Sequence, residues 1–395
     1  MLRFKADDGS EFPEWKETTI GDMTIELQDY ETLGSGYPLM TSSRTGLMMQ
    51  NEFHSKASTE DDTAIFSVVP RGVATYRHMS DDDIFHFNIN NLVDKGLVSK
   101  EYPVFDTRDE NNLYLLVEYL NSSRRFLNFC KAQKKGGTRT RLYFKVLKGF
   151  KLNIPSLPEQ QKIAEFLSTI DTVIEKQKET VAAWEERKKG VMQKLFSQEV
   201  RFKDDDGSEF PKWEEKKLKS ILKEYKEYSI KNGSYEHVSL TKEGVIPKSE
   251  RYERDFLVKD VDKKYRITHY GDICYNPANL KFGVICRNKY GDGIFSPIYV
   301  TFKVCGDNSP EFVEMLVTRG DFIGYALRYQ QGTVYERMSV SPDDLLSIKV
   351  LIPCLTEQQK IADCLSALDA VIEKQKATLV AWEELKKGLL QQMFV

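Results

Sequence analysis

Two stretches of this chain carry apolar side chains at alternating intervals of four and three. The first runs through Ile163, Leu167, Ile170, Ile174, Val181, Trp184, Val191 and Leu195, with Gln177 and Lys188 in the two remaining places. The second runs through Ile361, Leu365, Leu368, Ile372, Leu379, Trp382, Leu389 and Met393, with Gln375 and Lys386 in the same two places. A period of about 3.5 predicts two long helices, each with a narrow seam suited to pairing with another helix. Glutamine in a seam either sets the register or marks a partly wet end. Thr356-Glu357-Gln358-Gln359 has the form of a capping box, and Pro158 stands at the place of Thr356 in the first stretch.

The two stretches belong to a larger repeat. Residues 154–196 and 352–394 align without a gap at an offset of 198, and 28 of the 43 positions are identical. The same offset relates Arg3-Phe4-Lys5, the run Asp7 to Pro13 and Trp15 to Arg201-Phe202-Lys203, the run Asp205 to Pro211 and Trp213. The chain is therefore a head-to-tail duplication. Its middles are unlike but related: Gly96 to Phe105 and Gly293 to Phe302 both fit G-[LI]-x-S-x-x-Y-x-x-F, and Gly72 with Tyr76 matches Gly271 with Tyr275. Thr41 to Gly46 pairs more weakly with Ser239 to Gly244, setting Arg44 against Lys242.

Short runs rich in β-branched and aromatic residues, at 64–69, 283–286 and 299–304, read as strands. Residues 112–131 and 310–329 read as helices, with Leu113, Leu116, Val117, Leu120 and Leu127 spaced for one buried face. The middles are thus expected to be mixed α/β domains. About 20 residues separate the end of the first long helix from the second middle, so that helix delivers the chain to the second domain and its partner runs back. The expected architecture is a pseudo-twofold dumbbell around an antiparallel two-helix coiled coil.

Composition bears on partners and excludes some classes. The formal charge is −3 with 30% charged residues, and Glu159 to Lys194 carries seven acids and seven bases, so the helices dilute any local charge. Ser122 to Lys145 holds eight basic residues and no acid. Such a run is suited to phosphate, because Lys and Arg displace its counterions. Arg124, Arg125, Lys134, Lys135, Arg139 and Arg141 are the candidate DNA contacts there. In the second half the candidates are Lys242, Arg328, Gln330, Gln331 and Arg337, since Gln and Arg suit the edges of adenine and guanine. Arg44, Tyr76 and Tyr275 join them as matched positions, the tyrosines being equally readable as core.

No run of 18 apolar residues and no secretion signal is visible, and six scattered cysteines without a CxxC pair suit reduced thiols, so a cytoplasmic protein is expected. Gly-Lys never occurs, which removes the triphosphate-binding loop, and the five histidines form no HxxxH or HExxH. Asn276-Pro277-Ala278-Asn279 has no cofactor loop to accompany it. No catalytic constellation and no metal site is expected.

The Ile-Pro…Glu-Gln-Gln-Lys-Ile-Ala start of a long helix, present twice after two unlike domains, resembles the specificity (S, HsdS) subunit of type I restriction–modification systems. The opening Arg201-Phe202-Lys203…Gly207…Phe210-Pro211…Trp213 is also typical of that family. The resemblance covers the full chain. It implies target recognition domains at 1–153 and 199–351, each reading one half of a split double-stranded DNA site, and conserved spacer helices at 154–198 and 352–395. It further implies two modification (methyltransferase) subunits bound around the helices, and restriction/translocase subunits that complete a site-specific deoxyribonuclease. S-adenosylmethionine, ATP and Mg would then be bound by those partners, none by this chain, with adenine-N6 methylation the modification. The coiled-coil seam of Ile163, Leu167, Ile170, Ile174, Trp184, Ile361, Leu365, Leu368, Ile372 and Trp382 would be the ruler. The competing readings are a self-contained restriction endonuclease or methyltransferase, and a coiled-coil scaffold for other proteins.

Overall fold

The computed structural model of the chain describes residues 2–50, 63–108, 110–134, 138–230, 234–248, 264–331 and 338–394. It divides into two compact units, Met1–Val181 with Lys374–Val395, and Ala182–Glu373. Each long helix, Leu157–Phe196 and Leu355–Met393, therefore gives its start to one unit and its end to the other.

In the first unit, strands Thr24–Leu27, Val104–Thr107, Ala74–Tyr76 and Phe87–Ile89 form an antiparallel sheet in that order. Lys95–Ser99, Ile65–Pro70 and Tyr30–Thr32 form a second, and Met40–Ser43 turns into Gly46–Met49 as a hairpin. The second unit answers with Leu222–Glu224, Val300–Val304, Ile273–Tyr275 and Ile285–Arg287. Its other sheet has five strands, including the parallel pair Glu236–Leu240 and Gly293–Phe295. The glycine shared by the two middles is explained here: a side chain on Gly96 would overlap Met40, and one on Gly293 would overlap Val238. Mixed α/β is the class, as the alternating short strands and helices suggest.

Two expected helices are broken. Residues 112–131 form Leu113–Ser122 and Arg124–Ala132, because Ser123 is extended and its hydroxyl accepts the N–H of Phe126 as the cap of the second piece. Pro310–Thr318 likewise stops at Arg319, which is extended before Gly320–Ala326. The capping-box reading also fails, since the second long helix already begins at Leu355 and Thr356 lies inside it.

A frame shared by both units closes each domain onto a long helix. Lys16–Thr19 pairs with Lys151–Ile154 as Glu214–Lys217 pairs with Lys349–Ile352, in the same register. Glu159 is wholly buried and accepts from Arg3 at 2.9 and 3.2 Å and from the Trp15 indole at 3.2 Å. Glu357 repeats this with Arg201 at 2.6 and 3.0 Å and Trp213 at 3.1 Å. Gln160 accepts the N–H of Asn112, and Gln358 that of Ser309, tying the helix start to the cap of the domain's own helix. The Glu-Gln-Gln motif is thus a brace.

The seam is buried largely as its spacing predicts. Ile163, Leu167, Ile170 and Ile174 are buried in the first unit, as are Ile361, Leu365 and Ile372 in the second, while Leu368, Trp184 and Trp382 are half-buried. Ile163 and Leu167 share a core with Leu390 and Met393 from the far end of the other helix, and Leu195 shares one with Ile361 and Leu365. In the first unit Gln177 donates to the Gln375 side chain at 2.8 Å, and Lys386 meets Asp171 at 2.7 Å. Residues later in one helix meet residues earlier in the other, so the pairing there is antiparallel. Glutamine sits in a bonded pair, which fits the register-setting reading. The other seam cations are matched too: Lys188 meets Asp369 at 2.5 Å, and Lys386 also meets Glu118 at 3.0 Å. Burial pushes the Glu118 carboxyl above its ordinary range, and the nearby Lys386 offsets part of that rise.

Candidate nucleic-acid interface

Three candidate residues of the first unit, Arg44, Lys134 and Arg139, gather around one acidic turn. Strand Met79–Ser80 pairs with Thr140–Arg141, and the chain then turns through Asp81, Asp82 and Asp83, the last in the left-handed region at φ 66°. Arg44 stands at the tip of the Met40–Ser43 hairpin, where Gly46 at φ 130° makes the bend, and its guanidinium meets Asp82 at 2.5 Å. Arg139 donates to Asp81 at 2.7 Å, and Lys134 lies 3.7 Å from Asp83. Ser80 donates to Asp82, and that bond, with Arg44 adding to it, holds the carboxyl below its ordinary range. A small cleft lined by Ser42, Ser43, Arg44, Arg77 and His86 opens beside the turn.

Arg124 and Arg125 are exposed on the first turn of their helix, Arg125 stacking its guanidinium 6.0 Å from the Phe150 ring. Arg141 is exposed on its strand. Lys135 lies outside the described residues. The sequence reading missed Arg77, exposed just before this strand, and Tyr143, which is 52% exposed and stacks on buried His78. Burial keeps the His78 imidazole below its ordinary value against the pull of Glu101, and Arg141 and Arg77 lower it further. A neutral ring under an exposed tyrosine, flanked by two arginines, suits stacking and phosphate contact on one face.

In the second unit Lys242 is exposed at the tip of the corresponding hairpin, where Gly244 has φ 143°. Arg328 is exposed and lies 5.5 Å from the Tyr325 ring. Gln331 pairs its backbone with Ser339 and donates to Asp344 at 3.2 Å, and Gln330 is half-buried. Arg337 lies outside the described residues. Phe282, 62% exposed with Lys281 over its ring at 4.9 Å, is a further aromatic surface that no motif signalled.

Tyr76 and Tyr275 are corrected. Both are wholly buried, and their hydroxyls donate to the carbonyls of Leu142 at 2.8 Å and Val340 at 3.1 Å. Burial raises both phenols well above their ordinary value. Neither reaches a base; each pins the strand it ends to the segment that returns to the long helix. Tyr76→Phe or Tyr275→Phe is expected to cost about 1 kcal/mol of stability, one internal hydrogen bond, in urea unfolding. DNA affinity is expected to stay unchanged in the same preparations.

Among the described residues no group of three or more His, Cys, Asp or Glu side chains is placed to hold a metal ion. All six cysteines are unpaired. No helix among the described residues is long and apolar enough to cross a membrane.

With this geometry in view, comparison with known proteins shows what the chain is similar to. The family model for the type I restriction modification DNA specificity domain matches residues 86–182 and 323–381, one stretch in each half of the chain. A curated relative is the type I restriction enzyme MjaVIII specificity subunit of Methanocaldococcus jannaschii. It is 25% identical over 329 residues, covering 75% of this chain and 73% of the relative. The crystal structure of the S subunit of a type I restriction–modification system from M. genitalium superposes with a TM-score of 0.52 at 15% identity, covering 100% and 99% of the two chains. A chain from a structural study of complex assembly and conformational transition in the type I system gives 0.54 at 12%, covering 97% and 98%. The resemblance to specificity subunits drawn from the sequence is borne out.

Proposed function

We propose that this chain is the sequence-reading subunit of a type I restriction–modification complex and has no catalytic site of its own. Each middle reads one half of a bipartite DNA site. The paired helices fix the spacer and dock two modification subunits, which bring S-adenosylmethionine for adenine methylation. Restriction/translocase subunits, with ATP and Mg, complete the nuclease. One observation carries this reading: the clasp of paired strands that closes each domain (Lys16–Thr19 with Lys151–Ile154, Glu214–Lys217 with Lys349–Ile352), the Glu159 and Glu357 braces and the long helices repeat at an offset of 198, while the surfaces they support differ. One frame holding two unlike surfaces is what a reader of two unlike half-sites requires.

The helices supply the test. Deleting residues 174–180 and 372–378 removes one heptad from each helix around the Gln177–Gln375 pair, shortening each helix by about 10 Å. That is about three base pairs of duplex. Methylation at the original spacing is expected to fall at least 100-fold, and sites that are still methylated should keep both half-sites with a spacer about three base pairs shorter, a change that also turns the duplex by roughly 100°. Unchanged methylation at the unchanged spacer contradicts the ruler.

A further inference from the structure

The basic run of the first unit is not free of acid in space. Arg44, Arg139 and Lys134 each face a different carboxylate of the Asp81–Asp83 turn, from two segments distant in sequence. The three carboxylates have separate duties. Asp83 is the least exposed, with 19% of its side chain open, and it also accepts from the Thr140 hydroxyl, so it holds the strand pair together. Asp81 and Asp82 are open to solvent at 61% and 39%, and their partners Arg139 and Arg44 at 50% and 62%. Ion pairs this exposed contribute little to stability, so a phosphate can exchange for either carboxylate without unfolding anything. Arg77 and Arg141 are also exposed on this stretch and have no carboxylate partner among the described residues. Cations that attract a duplex and cations that are held back thus lie side by side.

We propose that Asp81 and Asp82 are specificity-determining positioning residues, which keep Arg139 and Arg44 off DNA phosphates until base contacts add enough to displace them. The inference rests on the reading of this chain as a DNA-recognition subunit. An arginine already neutralised by its own protein gains little from a phosphate, because one ion pair is exchanged for another and fewer counterions leave the duplex. Random sequence then receives only the weak, unlatched contacts. A cognate half-site, whose bases add hydrogen bonds in the groove, recruits the latched pair as well. Both arginines are pre-aimed by the carboxylates, so the exchange requires little reordering.

The test uses the full chain and a labelled, mixed-sequence 30-base-pair duplex, titrated by fluorescence anisotropy between about 50 and 200 mM KCl. The isosteric variant Asp81→Asn with Asp82→Asn is expected to bind this duplex about tenfold more tightly at the low-salt end. Its plot of log affinity against log salt is expected to steepen by about 2, one unit for each arginine released. Asp81→Asn alone should give about half that change in slope and serves if the double variant folds poorly. Asp94→Asn, which removes a still more exposed partner from Arg71, is the control for net charge and should do neither. Unchanged affinity and slope in both folded variants, or a change matched by Asp94→Asn, overturns the proposal. If the wild-type chain shows no salt-dependent binding of duplex DNA, the recognition reading itself falls and takes the inference with it.

Discussion

Replacing Glu357 by alanine is expected to destabilise the second unit by about 3–5 kcal/mol, the cost of leaving a buried pair with one partner. Glu357 is wholly buried and holds Arg201 through two hydrogen bonds and the Trp213 indole through a third. Alanine leaves the Trp213 N–H without an acceptor and the guanidinium half-hidden without its counter-charge. Arg201 also donates to the Pro211 carbonyl, so the shared N-terminal segment loses its anchor on the long helix. Glu357→Gln keeps an acceptor and should recover about half of the loss. Glu159→Ala should behave alike in the first unit, since Arg3 and Trp15 repeat the geometry. Urea unfolding followed by circular dichroism reads both, and a shift within about 0.5 kcal/mol, ordinary for a surface change, contradicts the brace.

The frame was legible because its signals are local or exactly repeated in the chain. A 3.5-residue seam names its own buried positions, and Gln177 with Gln375 and Lys386 with Asp171 satisfy the polar places across the helix pair. The Glu-Gln-Gln motif was legible as a motif but not as a brace, because its partners Arg3 and Arg201 lie 156 residues away. Charge was misread for a similar reason. The run from Ser122 to Lys145 looks wholly basic, yet Arg139 finds its acid 58 residues earlier, on a turn that no local pattern ties to it. The matched tyrosines were ambiguous because a shared aromatic supports a shared core as well as a shared surface. Burial of Tyr76 and Tyr275 resolves them as core.

The largest expected effect follows from exchanging one middle. Residues 20–150 lie between the first pair of clasp strands and 218–348 between the second, at an offset of 198, so one fits the frame of the other. A chain carrying 20–150 in both places keeps each clasp, each brace and both helices. Because the helices pair antiparallel, two identical middles related by the repeat should read identical half-sites in inverted order. Long-read mapping of methylated adenines in a host that supplies the modification subunits measures this directly. The prediction is a bipartite inverted repeat built from one original half-site, at the original spacing, with the other half-site gone. Continued methylation of the original two-part site, or an altered spacer with both original half-sites intact, would contradict the assignment of one half-site to each middle.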